Sequence, residues 1–289
     1  MTRTTATAIG FIAVLLWALL ALLTVGSAPT PPLLLNAICF TIGGTLGLIW
    51  TAATGGLGQL RQVPTGLYAF GTLGLFGYHA LYFSALRLAP AAEAGLIAYL
   101  WPLLIVLFSG LLPGERLRGG HVLGAVLGFA GAGLIISGGA AGFQSQYLYG
   151  YGLAFLCALT WSGYSVISRS FGTAPTASVA VFCIAAAILS AALHLMIEET
   201  VWPDTPLSWA ATLALGLGPV GLAFFVWDIG VKKGDIQLLG TSSYAAPLLS
   251  TLLLVAVGIA APSWSLALAA LLITGGAALA ARASFSASS

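Results

Sequence analysis

From Thr7 to Arg282 the chain is a succession of apolar runs, each close to the roughly 20 residues a helix needs to cross a bilayer, with only short breaks between them. Charged residues make up 6% of the 289 positions and apolar ones 60%, with a mean hydropathy of +1.05. So few charges cannot cover a water-soluble domain, so the sequence predicts a polytopic, all-α integral membrane protein. The breaks define ten spans: Thr7–Val25, Pro32–Ala53, Gly66–Arg87, Ala92–Leu112, Gly120–Gly139, Gly150–Arg169, Thr176–Ile197, Leu207–Gly230, Ile236–Ala260 and Ser263–Arg282. Arg3 followed by an apolar run resembles a signal peptide, but Gly26 to Pro29 leads straight into another span, so the first run is read as retained.

Charge placement tests that count. With the N-terminus in the cytoplasm, Arg3, Arg61, Arg116, Arg118, Arg169, Lys232, Lys233 and Arg282 fall inside and only Arg87 falls outside. That asymmetry obeys the positive-inside rule and puts both termini in the cytoplasm. Glu198, Glu199 and Asp204 fall outside. Basic residues scattered over short loops form no patch for nucleic acid. Cys39, Cys157 and Cys183 lie in apolar runs at wide spacings, which writes neither a disulfide framework nor a metal set. No cofactor is implied.

A proline inside the fourth run, Pro102, removes a helical hydrogen bond and frees the carbonyl of Ala98. In lipid such a break is tolerated where protein or water covers it, and Tyr99 and Trp101 lie beside it. The device returns at Tyr244 and Pro247. Sliding the second half over the first by 145 residues sets Tyr244 on Tyr99, Pro247 on Pro102, Gly240 on Gly95, Lys232 on Arg87 and Trp227 on Tyr82. A shift of 144 pairs Trp161 with Trp17. Each half, 1–140 and 141–289, then holds five spans. Because five is odd, the second copy enters from the opposite side, and the repeat is predicted to be inverted.

Tyr78, His79 and Tyr82 share a face of roughly 100° on the third span, and intramembrane polar groups tend to mark pathways. A satisfied structural histidine is the competing reading of His79. In a straight helix Tyr99 and Trp101 diverge by about 200°, so both face one cavity only if the proline break distorts the helix; otherwise Trp101 packs between helices. Trp161, followed by Tyr164 and Ser165, carries a polar stripe, whereas Trp17 divides between pathway and core. Ser243 divides between covering the second break and meeting substrate. Asp228 and Lys232, four apart, read as a helix-end pair, and His194 as interfacial.

Two five-span halves, the Gly114-Glu115-Arg116-Leu117 stretch and a fifth span rich in glycine (Gly124, Gly128, Gly131, Gly133) resemble the EamA branch of the drug/metabolite transporter superfamily. Tyr78-His79 with Tyr82, then Tyr99 and Trp101-Pro102, is similar to the YddG-type aromatic amino-acid exporters of bacterial inner membranes. The second half departs from the pattern at Ile259 to Pro262, which lacks the Gly-Glu stretch. The resemblance implies a non-enzymatic secondary transporter in the bacterial inner membrane, surrounded by lipid and expected as a monomer, that exports aromatic and other neutral amino acids by alternating access. Its cavity would be lined by Tyr78, His79, Tyr82, Tyr99, Trp101, Trp161, Tyr164, Ser243 and Tyr244, with Pro102 and Pro247 as hinges and protons as a candidate coupling ion. An exporter of cationic drugs or other small metabolites is the alternative. Against it, the first span has no acid, and against phosphorylated cargo, no span has a deep lysine or arginine.

Overall fold

The computed structural model describes residues 1–137, 143–258 and 261–285, which form helices and turns with no strand among them. The expected junction between the halves at 140/141 lies outside the described residues, as do Ile259 and Ala260. The helices are α1 (Arg3–Ala18), α2 (Leu20–Gly26), α3 (Pro32–Ala53), α4 (Leu57–Leu60), α5 (Thr65–Leu88), α6 (Ala91–Ala98), α7 (Trp101–Ser109) and α8 (Gly119–Ser137). They continue with α9 (Leu148–Ser170), α10 (Ser178–Ile197), α11 (Pro206–Leu217), α12 (Ala223–Lys233), α13 (Ile236–Ser242), α14 (Ala245–Ala256) and α15 (Trp264–Phe285). Their ends follow local chemistry: Thr2 caps α1, Pro32 and Pro206 open α3 and α11, and Asp235 caps α13 through the Leu238 amide at 2.9 Å.

Among the described residues, eight helical segments are long and apolar enough to cross a membrane. Two further runs read from the sequence form helices outside that set. One is α5, 24 residues long and carrying Tyr78, His79, Tyr82 and Arg87. The other is the broken pair α6 and α7. Leu195 and Met196, each 78% exposed, and Leu271 at 69% present apolar surface outward, as lipid contact requires.

The fourth run breaks over Tyr99 and Leu100, just ahead of Pro102, where the backbone tightens (Tyr99 φ −69°, ψ 5°) before α7 begins. The ninth breaks over Ser243 and Tyr244, ahead of Pro247. Three departures from the expected spans stand out. The first span is interrupted at Leu19, whose backbone (φ −81°, ψ −12°) leaves the helical ladder. The eighth holds a π turn, Gly218–Leu222, because Pro219 has no amide to continue the ladder. The fourth ends at Ser109 rather than Leu112.

On one flank α3 packs on α10, and on the other α8 packs on α15. The second pair approaches closely because it crosses at glycine: a Cβ on Gly124 would collide with the Gly276 carbonyl, and one on Gly131 would sit 2.9 Å from the Ala269 oxygen. Between the flanks, α5 packs on α9 and α1 on α12. At one end of the molecule α7 packs on α13 and α9 on α12, closing that end. Towards the other end, α5 and α6 pack on α8, α9 and α10, whereas α2, α11 and α14 pack mainly among themselves, on α1 and on the flanks. Among the described residues the two sets of helices thus pack across the centre chiefly at one end, and the other is the more parted.

Candidate functional site

The α5 face predicted from spacing forms as a continuous aromatic wall. The Tyr78 and Tyr82 rings lie parallel, 6.1 Å apart with 4° between planes. His79 sits edge-on to Tyr78 at 5.2 Å and to Phe40 at 5.2 Å. Its Nδ1 lies 2.7 Å from the Leu75 carbonyl, four residues back. A carbonyl only accepts, so Nδ1 carries the proton, and a neutral ring leaves Nε2 as an acceptor. Tyr78, His79, Tyr82 and Tyr99 lie deep in the fold yet keep part of their surface accessible, as the wall of an internal recess does.

The recess rests on four mutually touching tryptophans. Trp17 on α1 meets Trp101 at 5.9 Å, Trp161 at 6.0 Å and Trp227 at 5.1 Å. Trp101 meets Trp161 at 6.4 Å and Trp227 at 5.9 Å, and Trp161 meets Trp227 at 6.3 Å. Several contacts are edge-on, the arrangement that brings ring edges against ring faces. Two indoles are tied down: Trp17 Nε1 donates to the Pro219 carbonyl at 3.2 Å and Trp227 Nε1 to the Ser165 hydroxyl at 3.1 Å. The π turn thus supplies the acceptor that orients Trp17. Tyr78 closes on Trp161 at 5.5 Å, joining wall to floor.

The break before Pro102 brings Tyr99 and Trp101 together, with ring centroids 6.4 Å apart, although a straight helix would separate them. Tyr164 is buried below Trp161, at 5.3 Å, and packs over Gly74 of α5. Ser243 and Tyr244, expected in the lining, are both fully buried in this conformation. The Ser243 hydroxyl donates back to the Leu239 carbonyl at 2.8 Å. The Tyr244 ring is seated on Gly128 of α8, and its hydroxyl accepts the Leu103 amide at 3.1 Å. Trp227, Phe40 and Phe224 belong to the site and were not assigned to it from sequence. The alignment of Trp227 with Tyr82 was the available signal.

Ionic groups stand at the two ends of the bundle. At the closed end Glu115 pairs with Arg169 and, at 3.0 Å, with Arg3, which also reaches Asp235 at 3.5 Å. Arg169 additionally donates to the Val231 and Gly234 carbonyls at 2.8 and 2.9 Å. Asp228 and Lys232 form their i,i+4 pair at 2.9 Å, and Thr176 donates to Asp228. At the parted end the Glu198 carboxylate accepts the Leu33 and Leu34 amides that open α3, at 3.1 to 3.3 Å, together with Arg87 at 2.9 Å. His194, read as interfacial, lies in the last turn of α10 and is buried against its neighbours, with Nδ1 on Glu198 and Nε2 on Thr200, both at 2.9 Å. A helix N-terminus and a carboxylate attract through the unpaired amides and the helix dipole.

A shared aromatic site between two sets of helices invites comparison with known transporters. The EamA-like transporter family profile matches this chain twice, over residues 4–137 and again over 148–282. The chain belongs to the EamA-like transporter family. It is therefore a multi-pass membrane transporter, and its relatives are transporters and exporters rather than enzymes. It is 57% identical over 283 residues, 97% of this chain and 98% of the relative, to the aromatic amino acid exporter YddG of Ancylobacter novellus. The Escherichia coli K12 protein of the same name is 29% identical over 291 residues, 96% of each chain. A solved crystal structure superposes with a TM-score of 0.93 at 56% identity, covering 96% of this chain and 97% of that one. Among EamA-like transporters this chain thus has a close relative along nearly its whole length.

Proposed function

We propose that this EamA-like transporter exports amino acids, aromatic ones included, across the bacterial inner membrane by alternating access. Its ten spans form two inverted five-helix repeats with both termini in the cytoplasm. The observation that carries the reading is the aromatic recess, built jointly by both halves, in a chain 57% identical to a protein named as an aromatic amino acid exporter. Tyr78, Tyr82, Tyr99 and Trp17 keep accessible ring surface for an aromatic side chain and for an ammonium, each contact worth about 1 kcal/mol, and the buried Trp101, Trp161 and Trp227 back them. His79 Nε2 is an acceptor for the ammonium, and tyrosine hydroxyls are donors for the carboxylate. Without a deep cation the site binds weakly and broadly, as an exporter that must release its cargo requires.

The inverted repeat draws support from paired contacts. A shift of 145 carries α5 onto the α11–α12 segment and α9 onto α1, so the α5–α9 and α1–α12 packings exchange. The same shift carries the contact of Gly131 with Ala269 onto that of Gly276 with Gly124. Arg87, bonded to Glu198 just after α10, and Lys232, bonded to the Ala174 carbonyl just before it, stand at opposite ends of a 20-residue helix. Such a helix is about 30 Å long, a bilayer's thickness. With the basic end inside, the Glu115–Arg169 end is cytoplasmic and closed, and the parted end faces outward.

Purified protein in liposomes, tested with a panel of labelled amino acids with and without a pH gradient, is the test. Saturable movement of phenylalanine or tryptophan is expected, and its dependence on the gradient reports whether protons are coupled. Failure to move any amino acid would defeat the proposal.

A further inference from the structure

The first turn of α7 has amides that its own helix does not satisfy, and its cap residue Leu100 makes no side-chain cap. In a continuous helix the Leu103 amide would donate to the Tyr99 carbonyl. Here it donates 3.1 Å to the Tyr244 hydroxyl, which comes from the break in the other half. Tyr244 therefore does for α7 what an N-cap side chain ordinarily does, across the two halves. Its ring is wholly buried, over Gly128 and beside Phe129.

The 145-residue shift that carries Tyr99 onto Tyr244 also carries Leu103 onto Leu248. The mate of the observed bond would run from the Leu248 amide to the Tyr99 hydroxyl. Among the described residues that bond is absent: Tyr99 stays partly accessible beside Trp101. The breaks differ to match. Under the same shift the Tyr99-Leu100 break corresponds to Tyr244-Ala245, yet the second half breaks one residue earlier, over Ser243-Tyr244. Two equivalent segments therefore hold different conformations, one with its following helix capped by the opposite tyrosine and one without.

We propose that Tyr99 and Tyr244 are reciprocal latches: Tyr244 caps α7 when the outer side is open, and Tyr99 caps α14 at Leu248 when the inner side is open. This rests on the inverted-repeat, alternating-access reading above, in which the halves exchange conformations. Each tyrosine is latched in one state and lines the recess in the other, so both act as positioning residues for the transport cycle. The seats are unequal, since Gly128 corresponds to Ile273, and the Tyr99 latch is the weaker of the two.

The experiment measures populations rather than flux. Spin-label pairs are introduced in the full-length protein through Leu88→Cys with Val257→Cys at the outer ends, and Leu111→Cys with Lys233→Cys at the inner ends. All four positions are exposed, and the distances are read in lipid with and without phenylalanine. Tyr244→Phe keeps the ring and removes the acceptor. It is expected to move the outer-open to inner-open ratio roughly fivefold towards inner-open, the value of one neutral hydrogen bond. Tyr99→Phe is expected to move it the other way by a smaller factor. Leu103→Pro removes the donor and keeps both tyrosines, in a first turn that tolerates proline, and should shift the ratio in the same direction as Tyr244→Phe even if that variant folds poorly. Shifts in the same direction, or none, in a protein whose wild type shows two populations would overturn the latch alone. A wild type with a single population under every condition would overturn alternating access and the latch with it.

Discussion

Replacing Glu115 by glutamine should loosen the closed end of the bundle, which is cytoplasmic in the proposed topology. The Glu115 side chain is 6% exposed and pairs with Arg169, itself 18% exposed, so that interaction is largely shielded from water. Its second partner, Arg3, is 51% exposed, and contributes little after solvent screening. Arg169 keeps its bonds to the Val231 and Gly234 carbonyls in the variant, so only the charge-assisted part is lost. A hydrogen bond between charged groups is worth about 1.5–3 kcal/mol, and a loss of about 2 kcal/mol raises the inner-open population roughly 30-fold. The seam that opens lies between α7 and α13, where Val106 packs against Gly240 with no exposed surface. Val106→Cys, in a background whose three buried cysteines are replaced by alanine, reports that opening by its rate of maleimide labelling. With Glu115→Gln the rate should rise by the same factor. An unchanged rate in a folded protein would show that the ion pair does not hold the end closed.

Other substitutions separate structure from transport. Glu198→Gln removes the charge that holds the first turn of α3 and Arg87, and should cost about 1–3 kcal/mol, lowering the thermal midpoint by several degrees in detergent. His79→Leu deletes Nε2 and should raise KM for aromatic amino acids by roughly 10- to 100-fold, the value of one hydrogen bond to a charged group. If flux proves proton-dependent, that dependence surviving in His79→Leu would rule the imidazole out as the proton carrier. Pro102→Ala and Pro247→Ala restore a backbone amide at each break and should slow transport, and unchanged flux in both would remove the prolines as hinges.

The spans were legible because a bilayer imposes one length and one composition on every crossing, and the ends of α3, α5 and α10 fall within two residues of those read from the sequence. Local chemistry that needs no proline near the break was not legible: nothing in the Leu19 region announces an interruption. Pro219 was visible, but its consequence, a π turn whose carbonyl orients Trp17, depends on a tryptophan 202 residues away. The face of Tyr78, His79 and Tyr82 could be read from helical spacing. The four-tryptophan floor could not, because each ring comes from a different helix and helix rotation is set by packing. Tyr244 illustrates the same limit: the repeat marked it as important, yet only the fold reveals that its hydroxyl is occupied by the Leu103 amide. Glu198 and His194 read as outer-face residues, and their burial follows from the α3 N-terminus and Arg87, which converge on them from elsewhere in the chain.

Counterflow tests the transport reading most directly. Liposomes containing the purified protein and loaded with unlabelled phenylalanine are diluted into a trace of labelled tryptophan. Transient, saturable accumulation of label is expected, faster than in empty liposomes and abolished when the load is omitted. Label that equilibrates no faster than in empty liposomes, for tryptophan and for every other amino acid tried, would contradict it.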